Sequence, residues 1–319
     1  MRDVIRVSLG SAGVLDLLDV AQKDLPTTAY LMVGDRCQRD CAFCAQARTS
    51  RARADALSRI TWPRQDLEMT IARVAAAYQQ GLIRRCCLQV TASAGYLEQA
   101  EYVLHRLHEA CDIPLSTSVV ARTLDDVARL FAAGAERIAL ALDAATPDIH
   151  RRVKGPGWEK ALRLLEEAAG RFPGRLSTHL IVGLGETEKE LVTLLQHLAS
   201  QGITIALFAF TPLPGTAWED HPAPSLASYR RLQAARFLIA SGRIGAADIA
   251  FAADGRIVGF GLRPAELHDL LADGRAFQTS GCPDCNRPYY NERPGGVIYN
   301  YARPLTPAEA AQAIALLPI

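Results

Sequence analysis

No apolar run in this chain reaches the ~18 residues that a membrane-spanning helix needs, so helical membrane insertion is not expected. Net charge is scarce too. Thirty-five basic side chains against 34 acidic ones leave +1, too little to draw the whole molecule to nucleic acid or to an anionic bilayer. Neither nucleic acid nor membrane is therefore an expected partner. The opening residues, 1–6, lack the apolar core of a secretory signal, and a cytoplasmic location is expected. Internal repeats are missing, and the one biased stretch, the Arg/Ala/Ser-rich 48–59, reads as a loop. Histidine is sparse, with seven residues, and none lies in or beside the densest group of cysteines. Cysteine itself is not scarce: eight are present. In a chain with no export signal they point to metal binding or catalysis rather than to disulfides. The remainder is globular in composition, 49% hydrophobic and 22% charged over 319 residues, with enough length for a sizeable core.

Apolar β-rich runs alternate with helical periodicities. Strands are expected at 28–33, 83–91, 114–119, 137–142, 176–182 and 203–210. Helices are expected between and after them, at 66–80, 96–110, 123–133, 158–170, 188–201 and 226–241. Six β-α units in succession argue for a parallel sheet with helices outside, and right-handed crossovers curl such units into an open, partial barrel. The fold class is therefore α/β, an open βα barrel with a cysteine-bearing C-terminal extension. Three segments are expected: an N-terminal helical extension over 1–27, the barrel over 28–245, and the extension over 246–319. In the last, Asp254-Gly255 marks a hairpin, 264–271 a short helix, and Thr306 with Glu309 a capping box opening the final helix.

Cys37, Cys41 and Cys44 stand at C-x3-C-x2-C spacing on the turn that follows the first strand. Chemistry in such barrels gathers at the C-terminal ends of the strands, and that is where these thiols fall. Three thiolates on one short loop suit an iron–sulfur cubane with one open iron. A zinc site, which closes with four ligands, and unligated thiols are the competing readings of the spacing alone.

The loop Cys37-x3-Cys41-x-Phe43-Cys44-Ala-Gln46, together with Leu180-Ile-Val-Gly183-Leu-Gly185-Glu186-Thr187 on the fifth strand, resembles the radical S-adenosylmethionine (SAM) superfamily and, within it, the biotin synthase group. The resemblance implies a SAM-binding [4Fe-4S] cluster on Cys37, Cys41 and Cys44. It also implies reductive cleavage of SAM to a 5′-deoxyadenosyl radical, with electrons from a ferredoxin- or flavodoxin-type donor. By position, Phe43 would lie beside adenine, and Thr91, Ala92 and Ser93 beside the methionine part. Asp143 would accept a ribose hydroxyl, and Ile181, Val182 and Gly183 would pack on adenine. Ser118 and Phe210 complete the SAM contacts that the resemblance implies. Simpler roles compete for some of these: a strand-end turn for 91–93, a helix N-cap for Asp143, and a turn-fixing role for Glu186.

Departures from biotin synthase are as informative. Where that group carries further strand cysteines, this chain has Ser116 and Ser177, and a late strand that should bring arginine reads Ile249-Ala-Phe-Ala252. Ala139 and Ala141 replace the expected asparagines, which favours an aliphatic substrate. Only the second strand keeps a cysteine, Cys86 or Cys87. Strand alternation puts Cys87 on the face of Gln89, Thr91 and Ser93 and so points it inward.

A second motif, Cys282-Pro-Asp-Cys285, is read as lying outside the barrel. A lone C-x2-C fits a zinc knuckle, a redox dithiol or an auxiliary [4Fe-4S] cluster; Cys87, Cys86, Cys111 and Ser280 are the candidates for a third ligand. Arg287 and Arg293 would offset cluster charge. The segment resembles one component of the two-protein lipoyl synthases. That resemblance implies a sulfurtransferase acting on a protein-bound octanoyl chain, with the auxiliary cluster as sulfur donor. Its implied partners are an octanoylated lipoyl carrier protein or domain and a sister radical SAM protein. The alternatives are another biotin-synthase-like radical enzyme, a mutase or maturase of a small molecule, and a non-enzymatic iron–sulfur or zinc scaffold.

Overall fold

The six runs expected as strands become six parallel strands in a computed structural model that describes residues 3–293 and 295–318; Met1, Arg2, Pro294 and Ile319, which fall within the expected terminal segments, lie outside the described residues. The parallel strands are β2 (Thr28–Val33), β6 (Arg85–Val90), β7 (Leu115–Ser118), β8 (Arg137–Ala139), β9 (Leu176–Val182) and β10 (Thr204–Ala209). Helices α2 (Leu67–Gln79), α3 (Tyr96–Ala110), α4 (Leu124–Ala132), α6 (Trp158–Arg171), α7 (Glu188–Ser200) and α8 (Leu226–Ala240) separate or follow them. The inner order runs β2-β6-β7-β8-β9-β10, each neighbour being the next in sequence, as an unbroken series of right-handed crossovers requires. One face of the sheet and the apolar stripes of the helices share the main core, which includes Leu31, Cys86, Leu88, Leu180 and Val182.

The N-terminal segment differs from the helical extension expected over 1–27. β1 (Val4–Val7) and β5 (Arg64–Asp66) add antiparallel beside β2 and widen the sheet to eight strands, while the helix there, α1 (Leu9–Val14), is six residues long. Ile5 and Val7 are buried, with nearly no exposure, so the β-branched residues of this short run were the strand signal. The loop-like 48–59 stretch leads into a small hairpin, β3 (Ala56–Leu57) with β4 (Ile60–Thr61). An additional helix, α5 (Pro147–Lys154), follows β8; Thr146 caps it with Pro147 in its first turn, and Gly155 ends it. The C-terminal part holds the expected hairpin, β11 (Ala250–Phe251) with β12 (Ile257–Gly259), then α9 (Pro264–Leu271) and α10 (Pro307–Ile314), whose Thr306–Glu309 capping box is formed.

An open barrel leaves a bare strand edge at β10, and buried backbone groups there need partners. The 280–291 segment provides them through side chains. Ser280 Oγ accepts from the Leu207 N–H (2.8 Å) and Asn291 Nδ2 donates to the Ala209 carbonyl (2.8 Å). On the other side of the gap Tyr290 packs on Tyr30 of β2, with ring centroids 5.4 Å apart, and on Trp62 at 6.2 Å. The extension thus closes the barrel between its last and first parallel strands.

Candidate active site

The cysteine loop leaves β2 through Gly34, whose φ of +88° lies in the region that favours glycine. A Cβ there would run into the hydroxyl and carbonyl of Thr91. Gly34→Ala is expected to cost about 3 kcal/mol from strain and overpacking together, measured as a lowered denaturation midpoint. Beyond Gly34 the loop is held by its own backbone and by two arginines. The Cys37 N–H donates to the Gln46 carbonyl (2.9 Å) and the Ala42 N–H to Val153 at the end of α5 (2.8 Å). Arg36 donates to the carbonyls of Ala45 (3.3 Å), Ala47 (3.1 Å) and Ala52 (3.1 Å). Arg6, from β1, reaches Gln46 Oε1 (3.2 Å) and the Ala54 carbonyl (3.0 Å).

So pinned, Cys37, Cys41 and Cys44 line one cavity of about 500 Å³ at the C-terminal ends of the strands. Burial pushes the Cys41 and Cys44 thiols up, Cys44 to about 12. Such thiols stay protonated at neutral pH unless a soft cation takes the proton's place, which suits ligands to iron rather than free nucleophiles. Among the described residues no three His, Cys, Asp or Glu side chains form a group suited to a single metal ion, whereas a cubane ties each thiolate to a separate iron.

Phe43, Thr91, Ala92, Ser118 and Asp143 line the same cavity. Asp143 is not a helix cap, since Thr146 holds that place. It adopts φ +65° and pairs with Lys154 Nζ at 2.6 Å, both side chains nearly buried. Ile181 and Phe210 pack with Phe43 in a separate apolar cluster and line the adjoining cavity.

Three residues expected beside SAM do not line either cavity. Ser93 turns away: its Oγ accepts from the Asp35 N–H (3.2 Å). Val182 lies in the main core at 2% exposure, because strand alternation sends it to the face opposite Ile181. Gly183 spends its backbone locally, its N–H donating to Glu186 (2.7 Å) and its carbonyl meeting His221 Nε2 (3.0 Å). Glu186, which also accepts from the Leu184 N–H (3.0 Å), fixes that turn.

The largest correction concerns the second motif. Cys282 and Cys285 are not outside the barrel. They line a cavity of about 210 Å³ inside it, together with Cys87. The intervening residues clamp onto the N-terminal ends of β2 and β6. Thr27 and Thr28 donate to the Asp284 carbonyl (2.6 and 2.9 Å), and Arg85 Nε donates to the Pro283 carbonyl (2.9 Å). Asn286 accepts from the Thr27 N–H (3.0 Å). The motif therefore plugs the barrel from below while the first cysteine loop caps it from above. Burial and the neighbouring thiols of Cys285 and Cys282 push Cys87 well above its ordinary value. Of the other candidates for a third ligand, Cys86 faces the main core and Ser280 is bonded to the β10 edge; Cys111 ends α3 on the outer, helical side.

The two cavities share a wall that includes Phe43, Cys44, Gln89, Ser118, Asp143 and His179. Away from that wall Ala139, Ala206, Phe208 and Ile181 make the inner cavity largely apolar, with Ser116 and Ser177 toward its base. His179 and Lys154 are the members that sequence reasoning passed over. His179 faces inward by the same alternation as Ile181, and Lys154 comes from the unforeseen α5, whose Thr-Pro start and Gly end were readable as caps. Burial pushes His179 down to about 4, with Asp143 opposing and Arg287 and Lys154 adding to the fall. A histidine with its pKa depressed on folding stabilises the native state above its ordinary value of 6.5 and loses that contribution as pH falls toward about 4. The metal-free protein is expected to lose thermal stability between about pH 6.5 and 4, and His179→Gln to flatten that slope; melting curves across the range check it.

Residues 31–198 match the radical SAM superfamily, and the chain belongs to it: it is a radical SAM enzyme, and that membership implies a [4Fe-4S] cluster and SAM. Among curated proteins, a lipoyl synthase of Chlamydia felis is 26% identical over 201 residues, 56% of this chain and 56% of that protein. The chain thus spans little more than half the length of that relative. Two solved structures share the fold. Methylornithine synthase (PylB) has a TM-score of 0.53 at 14% identity, covering 72% of this chain and 66% of that one. The [FeFe]-hydrogenase maturase HydG of Carboxydothermus hydrogenoformans has a TM-score of 0.52 at 15% identity, covering 67% and 51%. Among the described residues no helix is long and apolar enough to cross a membrane.

Proposed function

We propose that this enzyme inserts sulfur into an unactivated carbon of a protein-bound octanoyl chain, as one component of a lipoyl synthase, with an auxiliary [4Fe-4S] cluster on Cys87, Cys282 and Cys285 as the sulfur donor. The observation that carries the proposal is the placement of those three thiols on one cavity whose wall is shared with Cys44 and Phe43 of the SAM loop. When bound, the first cluster and SAM supply a carbon-centred radical; the chain's own residues decide what that radical meets. Phe43, Ile181 and Phe210 give the inner cavity an apolar patch beside the polar shared wall, and apolar surface there helps to exclude water from a reactive intermediate. Ala139 and Ala206 leave room for a methylene chain and offer it no polar partner. The similarity to a lipoyl synthase over 201 residues supports the same substrate class.

On this reading the partners are an octanoylated lipoyl carrier protein or domain, a sister radical SAM protein, and a ferredoxin- or flavodoxin-type electron donor. The test is incubation of the reduced, reconstituted enzyme with SAM and an octanoyl-lysine carrier peptide, followed by mass spectrometry. A product heavier by sulfur is expected. SAM cleavage with an unaltered peptide, with the sister protein both absent and present, would overturn the assignment in favour of a different radical reaction.

A further inference from the structure

The two sets of cysteines receive hydrogen bonds very differently. At the first, the donors are backbone groups alone, the Arg39 N–H at 3.4 Å from Cys37 Sγ and the Gln46 N–H on Cys44. At the second, side chains converge on the sulfurs. Arg287 Nη1 donates to Cys285 Sγ at 3.6 Å, and the Tyr30 hydroxyl lies 3.5 Å from the same atom. Gln89 Nε2 donates to Cys87 Sγ at 3.1 Å.

Each donor is held in place from elsewhere. The Arg287 guanidinium lies over the Phe208 ring at 4.1 Å and donates through Nη2 to the Ser280 carbonyl (2.8 Å). The Tyr30 hydroxyl accepts from the Arg287 backbone N–H (2.9 Å), which leaves its own proton free to point at Cys285. Arg287 has no carboxylate within ion-pair distance among the described residues, and its contacts are to neutral carbonyl, ring and thiol groups. A guanidinium in a cavity wall without an acid beside it is matched by an anion in the cavity, and thiolates with their cluster are such an anion.

We infer that Arg287 and Tyr30 are positioning residues that make the second cysteine set the more easily reduced of the two, by directing a cationic and a hydroxyl donor at the sulfur of Cys285. Hydrogen bonds to ligand sulfur and nearby positive charge both stabilise the reduced form of an iron–sulfur centre and raise its potential. The first set, with backbone donors and no side-chain donor on its sulfurs among the described residues, keeps the lower potential that SAM cleavage demands. The same protein can thus hold a strong reductant and an electron-accepting centre on opposite sides of one wall. The inference rests on the proposed auxiliary cluster.

The test is a potentiometric titration of the anaerobically reconstituted full chain, followed by electron paramagnetic resonance, with iron counted in each sample. Wild type is compared with Tyr30→Phe, Arg287→Lys and Arg287→Gln. Two potentials are expected in wild type. The higher falls in Tyr30→Phe and falls further in Arg287→Gln, with Arg287→Lys between wild type and Gln, while the lower stays fixed in all. Full iron content with an unmoved higher potential in both Tyr30→Phe and Arg287→Gln overturns this inference alone. A wild type that holds about four irons removes the auxiliary cluster, and this inference with it. Tyr30→Phe removes one hydroxyl from a packed ring, so its iron content and potential remain readable should an Arg287 variant fail to fold.

Discussion

Reconstituted Cys41→Ala protein, reduced and given SAM, is expected to release 5′-deoxyadenosine at least ~10³-fold more slowly than wild type, a rise of about 4 kcal/mol in the barrier. The argument starts from the loop. Cys37, Cys41 and Cys44 share one cavity, and burial keeps Cys41 and Cys44 from ionising alone. Their use is therefore as a set, committed when metal displaces their protons. The loop's shape does not depend on Cys41's side chain. Its backbone is held by Arg36, Gln46 and the Ala42–Val153 bond, so an alanine removes a ligand and leaves the scaffold. Iron should fall by about four per chain. Retention of wild-type cleavage would show that the SAM-binding cluster sits elsewhere. Chromatographic assay of 5′-deoxyadenosine, with iron analysis on the same sample, checks both.

The Cys282→Ala/Cys285→Ala double variant is expected to behave in the opposite way. SAM cleavage should persist within ~3-fold, a change of less than 1 kcal/mol in the barrier, while the sulfur-bearing product disappears and iron drops from about eight to about four. The separation follows from placement at opposite ends of the strands. The SAM loop stands above β2 and β6, whereas the Cys282–Cys285 loop is fastened below them by Thr27, Thr28, Arg85 and Asn286. Those bonds use backbone and side chains other than the cysteines, so the plug keeps its position without its thiols. Product formation unchanged with only four irons would remove the sulfur-donor role from this loop. Loss of SAM cleavage as well would mean that the two sites are coupled through their common wall.

Much of this arrangement was legible in the chain. Period-two and period-3.6 patterns gave the six parallel strands and the helices outside them, and alternation along β6 separated Cys87 from Cys86 correctly. The same rule, applied to Ile181 and Val182, would have withdrawn Val182 from the list of adenine contacts; a motif read as a block hides that neighbouring residues point apart. What could not be read was contact between segments distant in sequence. Nothing local in Cys282-Pro-Asp-Cys285 says that it folds under the barrel. Its anchors are Thr27, Thr28 and Arg85, about 200 residues or more earlier in the chain. β1 escaped notice for a related reason, being four residues long and meaningful only once Leu31 and Met32 lie beside it.

The way the 280–291 segment meets β10 has a consequence for how the protein behaves when that segment is lost. Ser280 and Asn291 occupy the Leu207 N–H and Ala209 carbonyl with side-chain atoms, and so deny them to any other strand. A chain cut before Thr279 keeps the six parallel strands but presents β10 with its outward N–H and C=O groups open, beside the exposed rings of Phe208 and Tyr30. Such an edge is a template for pairing with its own copy. A truncated barrel of this kind is therefore expected to self-associate, so that the 280–291 segment guards against aggregation as well as closing the barrel.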